Sequence, residues 1–162
     1  MRYNKATKGE EIKTMTKKIW FDMDGTIADL YGVENWLAYL IAEDVKPYAE
    51  AKPLVNLSIL ARYLNRLQKM GYEIGIISWL SKRGTDDYNA QVTETKIGWL
   101  EQHLPSVKWN CVKITKYGVN KWETCRDGIL FDDEAQNRTN WGGKSYEPCR
   151  IIEVLKSLVK NA

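Results

Sequence analysis

Histidine is nearly absent from this 162-residue chain, His103 being the only one. The three cysteines, Cys111, Cys125 and Cys149, are widely spaced and form no CxxC pair. Together these scarcities exclude a zinc site built from His and Cys ligands. An odd number of scattered thiols points to reduced cysteines and a cytoplasmic setting. No apolar run is long enough to span a bilayer, and the N-terminus lacks the hydrophobic stretch of a secretory leader. Neither sign of charge dominates: 24 Lys and Arg against 21 Asp and Glu leave a net charge of +3. That balance permits an anionic partner but is too small to argue for nucleic acid by itself. The chain also has no internal repeat and no low-complexity block.

What is present suits one soluble domain. A hydrophobic content of 44% and a charged content of 28% are those of an ordinary globule. The length is enough to bury a core without disulfides or a structural metal. Residues 1–17 are polar, lysine-rich and aperiodic, and read as a flexible extension. From residue 18 onward, short apolar runs alternate with segments of helical period. Strands are expected at 18–22, 72–78, 107–114 and 128–132, with a small one at 145–147. Helices are expected at 34–43, from 54 to about 70, from 87 to 104, around Lys121 and Trp122, and at 150–160. The second is the clearest, with Leu54, Leu57, Leu60, Leu64 and Leu67 at helical spacing, Pro53 in its first turn and Gly71 as its C′ stop. The stretch 47–53 reads as a connector. Alternation of this kind implies an α/β fold, a three-layer Rossmann-like parallel sheet covered on both faces. In such sheets the functional site lies at the carboxyl ends of the strands.

Those ends carry a distinctive set of residues. The first strand runs into Asp22-Met23-Asp24-Gly25-Thr26, the second ends in Ser78, and the fourth ends in Asp132-Asp133. Lys121 lies eleven positions before Asp132. A carboxylate can attack phosphorus and form an acyl phosphate, dividing one difficult step into two. Three carboxylates brought together repel one another unless a cation sits among them, and Mg²⁺, a hard ion that takes oxygen ligands, suits them. A lysine and a metal would neutralise the equatorial oxygens of a phosphoryl group in transfer. A second aspartate two residues on could protonate the leaving oxygen and then deprotonate water. Gly25 lets the backbone turn sharply beside them. Simpler readings exist for each piece alone: an Asx turn for Asp22 and Asp24, or a helix N-cap for Asp132 and Asp133. Lys113 and Lys116 compete with Lys121 as the site lysine, and either member of the Asp132-Asp133 pair could be the direct metal ligand. Trp36 and Trp79 could stack on a nucleobase or pack in the core. Arg83 and Arg138 could grip an anion or stand in solvent. Gly142-Gly143-Lys144 lacks P-loop spacing and reads as a turn.

The run Ile19-Trp20-Phe21-Asp22-Met23-Asp24-Gly25-Thr26 resembles the first motif of the haloacid dehalogenase (HAD) superfamily, an apolar strand followed by DxDGT. Ile76-Ile77-Ser78 resembles the second motif, Lys121 the third and Ile129-Leu130-Phe131-Asp132-Asp133 the fourth, in the right order. The resemblance covers residues 18–162. It implies an HAD-like catalytic domain in which Asp22 is nucleophile and metal ligand and Asp24 is general acid/base with its carbonyl on Mg²⁺. Ser78 would bond the phosphoryl oxygens, Lys121 would steady nucleophile and phosphate, and Asp132 and Asp133 would hold the metal. Gly25, Thr26, Trp79 and Trp36 would contact substrate. Asp22 to Leu30 and the tandem Asp132-Asp133 further resemble 5′(3′)-deoxyribonucleotidases, which implies nucleoside or deoxynucleoside monophosphates as substrates. The inserted cap, residues 31–52, is much smaller here, which leaves the site open. The open site also allows a phosphatase acting on nucleic-acid ends or another large phosphorylated substrate. A separate alternative is a non-catalytic phosphate-binding module on the same fold.

Overall fold

The computed structural model describes residues 17–161. The N-terminal extension expected from the sequence lies outside the described residues except for Lys17, whose carbonyl already accepts from Glu73 N at 2.7 Å.

Five parallel strands form one sheet in the order β5-β4-β1-β6-β7. They are β1 (Lys18–Phe21), β4 (Glu73–Trp79), β5 (Cys111–Thr115), β6 (Ile129–Phe131) and β7 (Ser145–Tyr146). β1 is central, flanked by β4 with Phe21 opposite Ile76 and by β6 with Phe21 opposite Phe131. Side chains alternate across it as a two-residue period requires. Ile19 and Phe21 enter the main core, whereas Trp20 enters a smaller cluster on the other face with Ile77, Leu130 and Trp141. Burial on both faces explains why β1 and β4 read as continuous apolar runs.

Helices α3 (Leu57–Lys69), α4 (Asp86–His103) and α7 (Ile151–Lys160) cover the main core. Leu60, Leu64 and Leu67 of α3 are fully buried, each contributing about 1.5–3 kcal/mol relative to exposure. The helix starts later than the leucine spacing predicts, because Asn56 is its N-cap and its Oδ1 accepts from Ile59 N at 3.1 Å. Leu54 is exposed and Pro53 belongs to a strand instead. Gly71 follows the helix with φ +94°, the left-handed stop expected of it. On the other face lie the short helices α5 (Lys121–Thr124) and α6 (Ala135–Asn140), with Trp122 and Trp141 against the smaller cluster. The three-layer expectation therefore holds.

The stretch after β1 is more ordered than its sequence suggests. β2 (Ala28–Asp29) pairs antiparallel with β3 (Lys52–Pro53), and between them lie α1 (Trp36–Ile41) and α2 (Lys46–Glu50). The region read as a connector thus contains a helix with Pro47 in its first turn. Leu30 and Tyr48 of this stretch pack on Tyr88 and Val92 of α4. Among the described residues, no helix is long and apolar enough to cross a membrane.

Candidate functional site

The carboxyl ends of β1 and β6 are adjacent, so the residues just beyond them meet. Asp22 N donates to Phe131 O at 2.9 Å, extending the β1–β6 ladder by one bond. The chain then turns on a single acceptor: Thr26, Ile27 and Ala28 all donate their N–H to Met23 O at 3.0 Å. Gly25 sits in this turn with φ +78°, and a Cβ there would collide with Asp133 Oδ2. Only glycine combines that backbone with that approach.

Asp22, Asp132 and Asp133 each present a carboxylate oxygen, and the three lie within 4.8 Å of one another. Asp132 is completely buried, while Asp133 reaches solvent. Lys121 Nζ bridges two of the carboxylates, 2.9 Å from Asp22 Oδ1 and 2.7 Å from Asp132 Oδ2. Of the three competing lysines it alone reaches them: Lys113 Nζ donates to Thr124 O at 3.3 Å, and Lys116 is exposed. Asp132 also accepts from Glu134 N at 2.9 Å and from Asn137 Nδ2 at 3.1 Å. Thr26 is buried behind the carboxylates, its Oγ1 3.3 Å from Asp22 Oδ2 and accepting from Asp133 N at 3.2 Å. It braces them from below.

Crowding governs the protonation of this cluster. Burial, then the neighbouring Asp22 charge, pushes Asp132 up to about 6 against the pull of Lys121. Asp133 reaches solvent, yet partial desolvation and then the Asp22 charge push it up to about 8 as well. Desolvation alone would lower the Lys121 ammonium, but Asp22 and Asp132 outweigh it and hold it above its ordinary value.

The second aspartate of the turn has its own cation, which the motif reading did not find. Lys96 of α4 is 1% exposed, and its Nζ donates to Asp24 Oδ2 at 2.7 Å, Ser78 Oγ at 2.8 Å and Trp79 O at 2.7 Å. Burial raises the Asp24 carboxyl, Lys96 opposes that, and the net direction is upward. A sequence signal for Lys96 exists: it occupies the buried stripe Tyr88, Val92, Lys96, Trp99 and Leu100, where helical period calls for an apolar residue. Asn137 was also missed, since an amide in a six-residue helix gives no periodic signal.

No protein-family model matches this chain, and no curated protein matches it.

A cavity of about 610 Å³ opens above the carboxylates, with Asp22, Asp24, Asp133 and Lys121 at its charged end. Its lining is largely apolar, with Glu43, Lys82, Arg83 and Glu134 also present. Tyr31 and Trp36 in it meet edge to face at 5.0 Å. Trp79 and Tyr117 lie 5.0 Å apart. Trp36 and Trp79 thus both line the cavity. Gly25, Thr26 and Ser78 stand behind its surface, and Ser78 is fully buried. Arg83 also lines the cavity, while Arg138 braces Asp132, donating to its carbonyl at 3.0 Å.

The cluster fits a small hard cation. Oxygens bound on opposite sides of one Mg²⁺ stand roughly 4 Å apart, and these donors lie within 4.8 Å of one another. Asn137 is buried, lines the cavity beside Asp132, and its Oδ1 has no partner. An acceptor in that position suits a proton of a hydrated ion.

Proposed function

We propose that this chain is a Mg²⁺-dependent phosphomonoesterase of the HAD type, an enzyme working through an aspartyl phosphate on Asp22. The observation that carries the reading is the meeting of Asp22, Asp132 and Asp133 at neighbouring strand ends with Lys121 bridging two of them. Asp22, Asp132, Asp133 and the Asp24 carbonyl would hold the ion. When bound, Mg²⁺ would draw charge from the phosphoryl oxygens.

Asp22 attacks phosphorus, and the bond from phosphorus to the leaving oxygen breaks. Asp24 gives its carboxyl proton to that oxygen, releasing an alcohol. Water then attacks the acyl phosphate and passes a proton to Asp24. The bond between phosphorus and Asp22 breaks, freeing phosphate and restoring both groups. Lys121 holds Asp22 in place and offsets charge on the transferring group.

Nucleoside and deoxynucleoside monophosphates are the substrates proposed. A charged end for the phosphate and two aromatic pairs for a planar base support that choice, in a cavity of ordinary small-ligand size. Residues 31–52 would act as a minimal cap, since Tyr31, Trp36 and Tyr48 all face the cavity.

Phosphate release from nucleoside monophosphates, deoxynucleoside monophosphates, sugar phosphates and a 5′-phosphorylated oligonucleotide tests this. Each is run with Mg²⁺, with chelator and with Asp22→Asn. The expected result is Mg²⁺-dependent release, fastest from a mononucleotide and lost in the variant. Release by Asp22→Asn at the wild-type rate would contradict the mechanism, and preference for a sugar phosphate would contradict the substrate.

A further inference from the structure

Lys96 has no part in the chemistry just described, yet it is one of the most deeply buried charges in the chain. An ammonium group carries three protons, and all three are used at 2.7–2.8 Å on Asp24 Oδ2, Ser78 Oγ and Trp79 O. Burying a charge is costly unless it is paired and fully bonded, and this one is both. The Trp79 carbonyl alone would serve to tie α4 to the end of β4. Of the other two partners, Asp24 is the one whose orientation the proposed reaction depends on.

We propose that Lys96 is the positioning residue of the acid/base aspartate. It fixes Asp24 by one oxygen, Oδ2, and leaves Oδ1, which accepts no hydrogen bond among the described residues, as the oxygen that meets the leaving group. Asp24 lines the cavity, so an oxygen free of Lys96 is available there. The same ammonium makes Ser78 Oγ an acceptor, which turns the serine's own O–H away from Lys96. Lys96 thus sets two groups at once from a rigid helix, without touching substrate. Tyr48, whose ring lies 5.2 Å from the Lys96 Nζ, closes the site of the ammonium from the side of residues 31–52.

This role rests on Asp22 being the nucleophile and Asp24 the proton donor. Its signature is dependence on the leaving group, because a stable phenolate departs without a proton and a poor one does not. The test compares kcat/KM for phenyl, 4-nitrophenyl and 2,4-dinitrophenyl phosphate in the wild type, Asp24→Asn and Lys96→Met. Lys96→Met is expected to lose about 10²-fold or more on phenyl phosphate and to remain within about tenfold on the dinitrophenyl ester, in parallel with Asp24→Asn. An equal loss on all three esters, with Asp24→Asn still selective, would overturn the role of Lys96 and leave the Asp22 reading intact. A wild type inactive on the whole series with Mg²⁺ would overturn both. If Lys96→Met does not unfold cooperatively, Lys96→Gln carries the same comparison.

Discussion

Lys121 and Asp133 both line the cavity and answer opposite electrostatic demands. Lys121 is buried between Asp22 and Asp132, so its removal leaves two carboxylates with no counter-charge. Lys121→Met is expected to destabilise the metal-free protein by about 3–5 kcal/mol, the usual effect of breaking a buried pair from one side. Asp133→Asn removes a carboxyl whose ionisation burial, Asp22 and Asp132 all oppose, so it should raise the metal-free melting temperature at neutral pH. It should also shrink the further rise that Mg²⁺ produces. Urea unfolding and thermal melts with and without Mg²⁺ check both signs, and a destabilised Asp133→Asn would count against the crowding described here. At this scale the sequence was informative where chemistry and strand ends coincide: Asp22, Asp24, Asp132 and Asp133 were legible from position alone. Lys121 was legible only by spacing, with Lys113 and Lys116 as rivals until their contacts were seen. Lys96 was not found, although a lysine within an apolar stripe was there to be read.

At the scale of elements, α4 does more than cover the sheet. Its C-terminal half carries Trp99 and Leu100 into the main core, and its N-terminal half holds Tyr88 and Val92 against Leu30 and Tyr48. Its start is also tied to the end of α1. Glu43 accepts from Thr85 N and Thr85 Oγ1, both at 3.0 Å, and Tyr88 Oη donates to Asp44 O at 2.9 Å. Thr85 Oγ1 itself accepts from Tyr88 N at 3.2 Å, as an N-cap. The wall made by residues 31–52 is therefore fastened to the helix that carries Lys96. Thr85→Ala is expected to cost about 1–2 kcal/mol of stability and to speed amide hydrogen exchange in α1 and α2 more than in β1. Uniform exchange across the chain would show that no such fastening exists. The long elements β1, β4, α3 and α7 were legible because period and burial agree in them. α2 and the β2–β3 ribbon were not, since two-residue strands and a five-residue helix are set by tertiary contacts rather than by local pattern.

For the molecule as a whole, the acidic cluster makes stability depend on pH and metal together. In the metal-free protein burial and the Asp22 charge push Asp132 up to about 6 and Asp133 up to about 8, both above the ordinary 3.8. Between about 4 and 8 the folded chain holds protons that the unfolded chain has released. Stability therefore falls as pH rises through that window. Mg²⁺ competes with those protons, so its stabilising shift should grow over the same interval. Melting curves from pH 5 to pH 8, with and without Mg²⁺, should diverge toward the alkaline end; parallel curves would contradict a metal site at these carboxylates. The overall architecture was readable from the alternation of strands and helices. Which polar groups the topology would bring together was readable only in part, because α4 delivers Lys96 to Asp24 from far along the chain, while the short α6 that holds Asn137 gives no periodic signal.

The most direct test of the central claim is to quench a turnover reaction of the Mg²⁺-loaded protein with acid and map any phosphoryl group by mass spectrometry. The account predicts a peptide phosphorylated on Asp22, formed within the first turnover and absent in Asp22→Asn. Phosphate released with no covalent adduct, or an adduct on another residue, would contradict it.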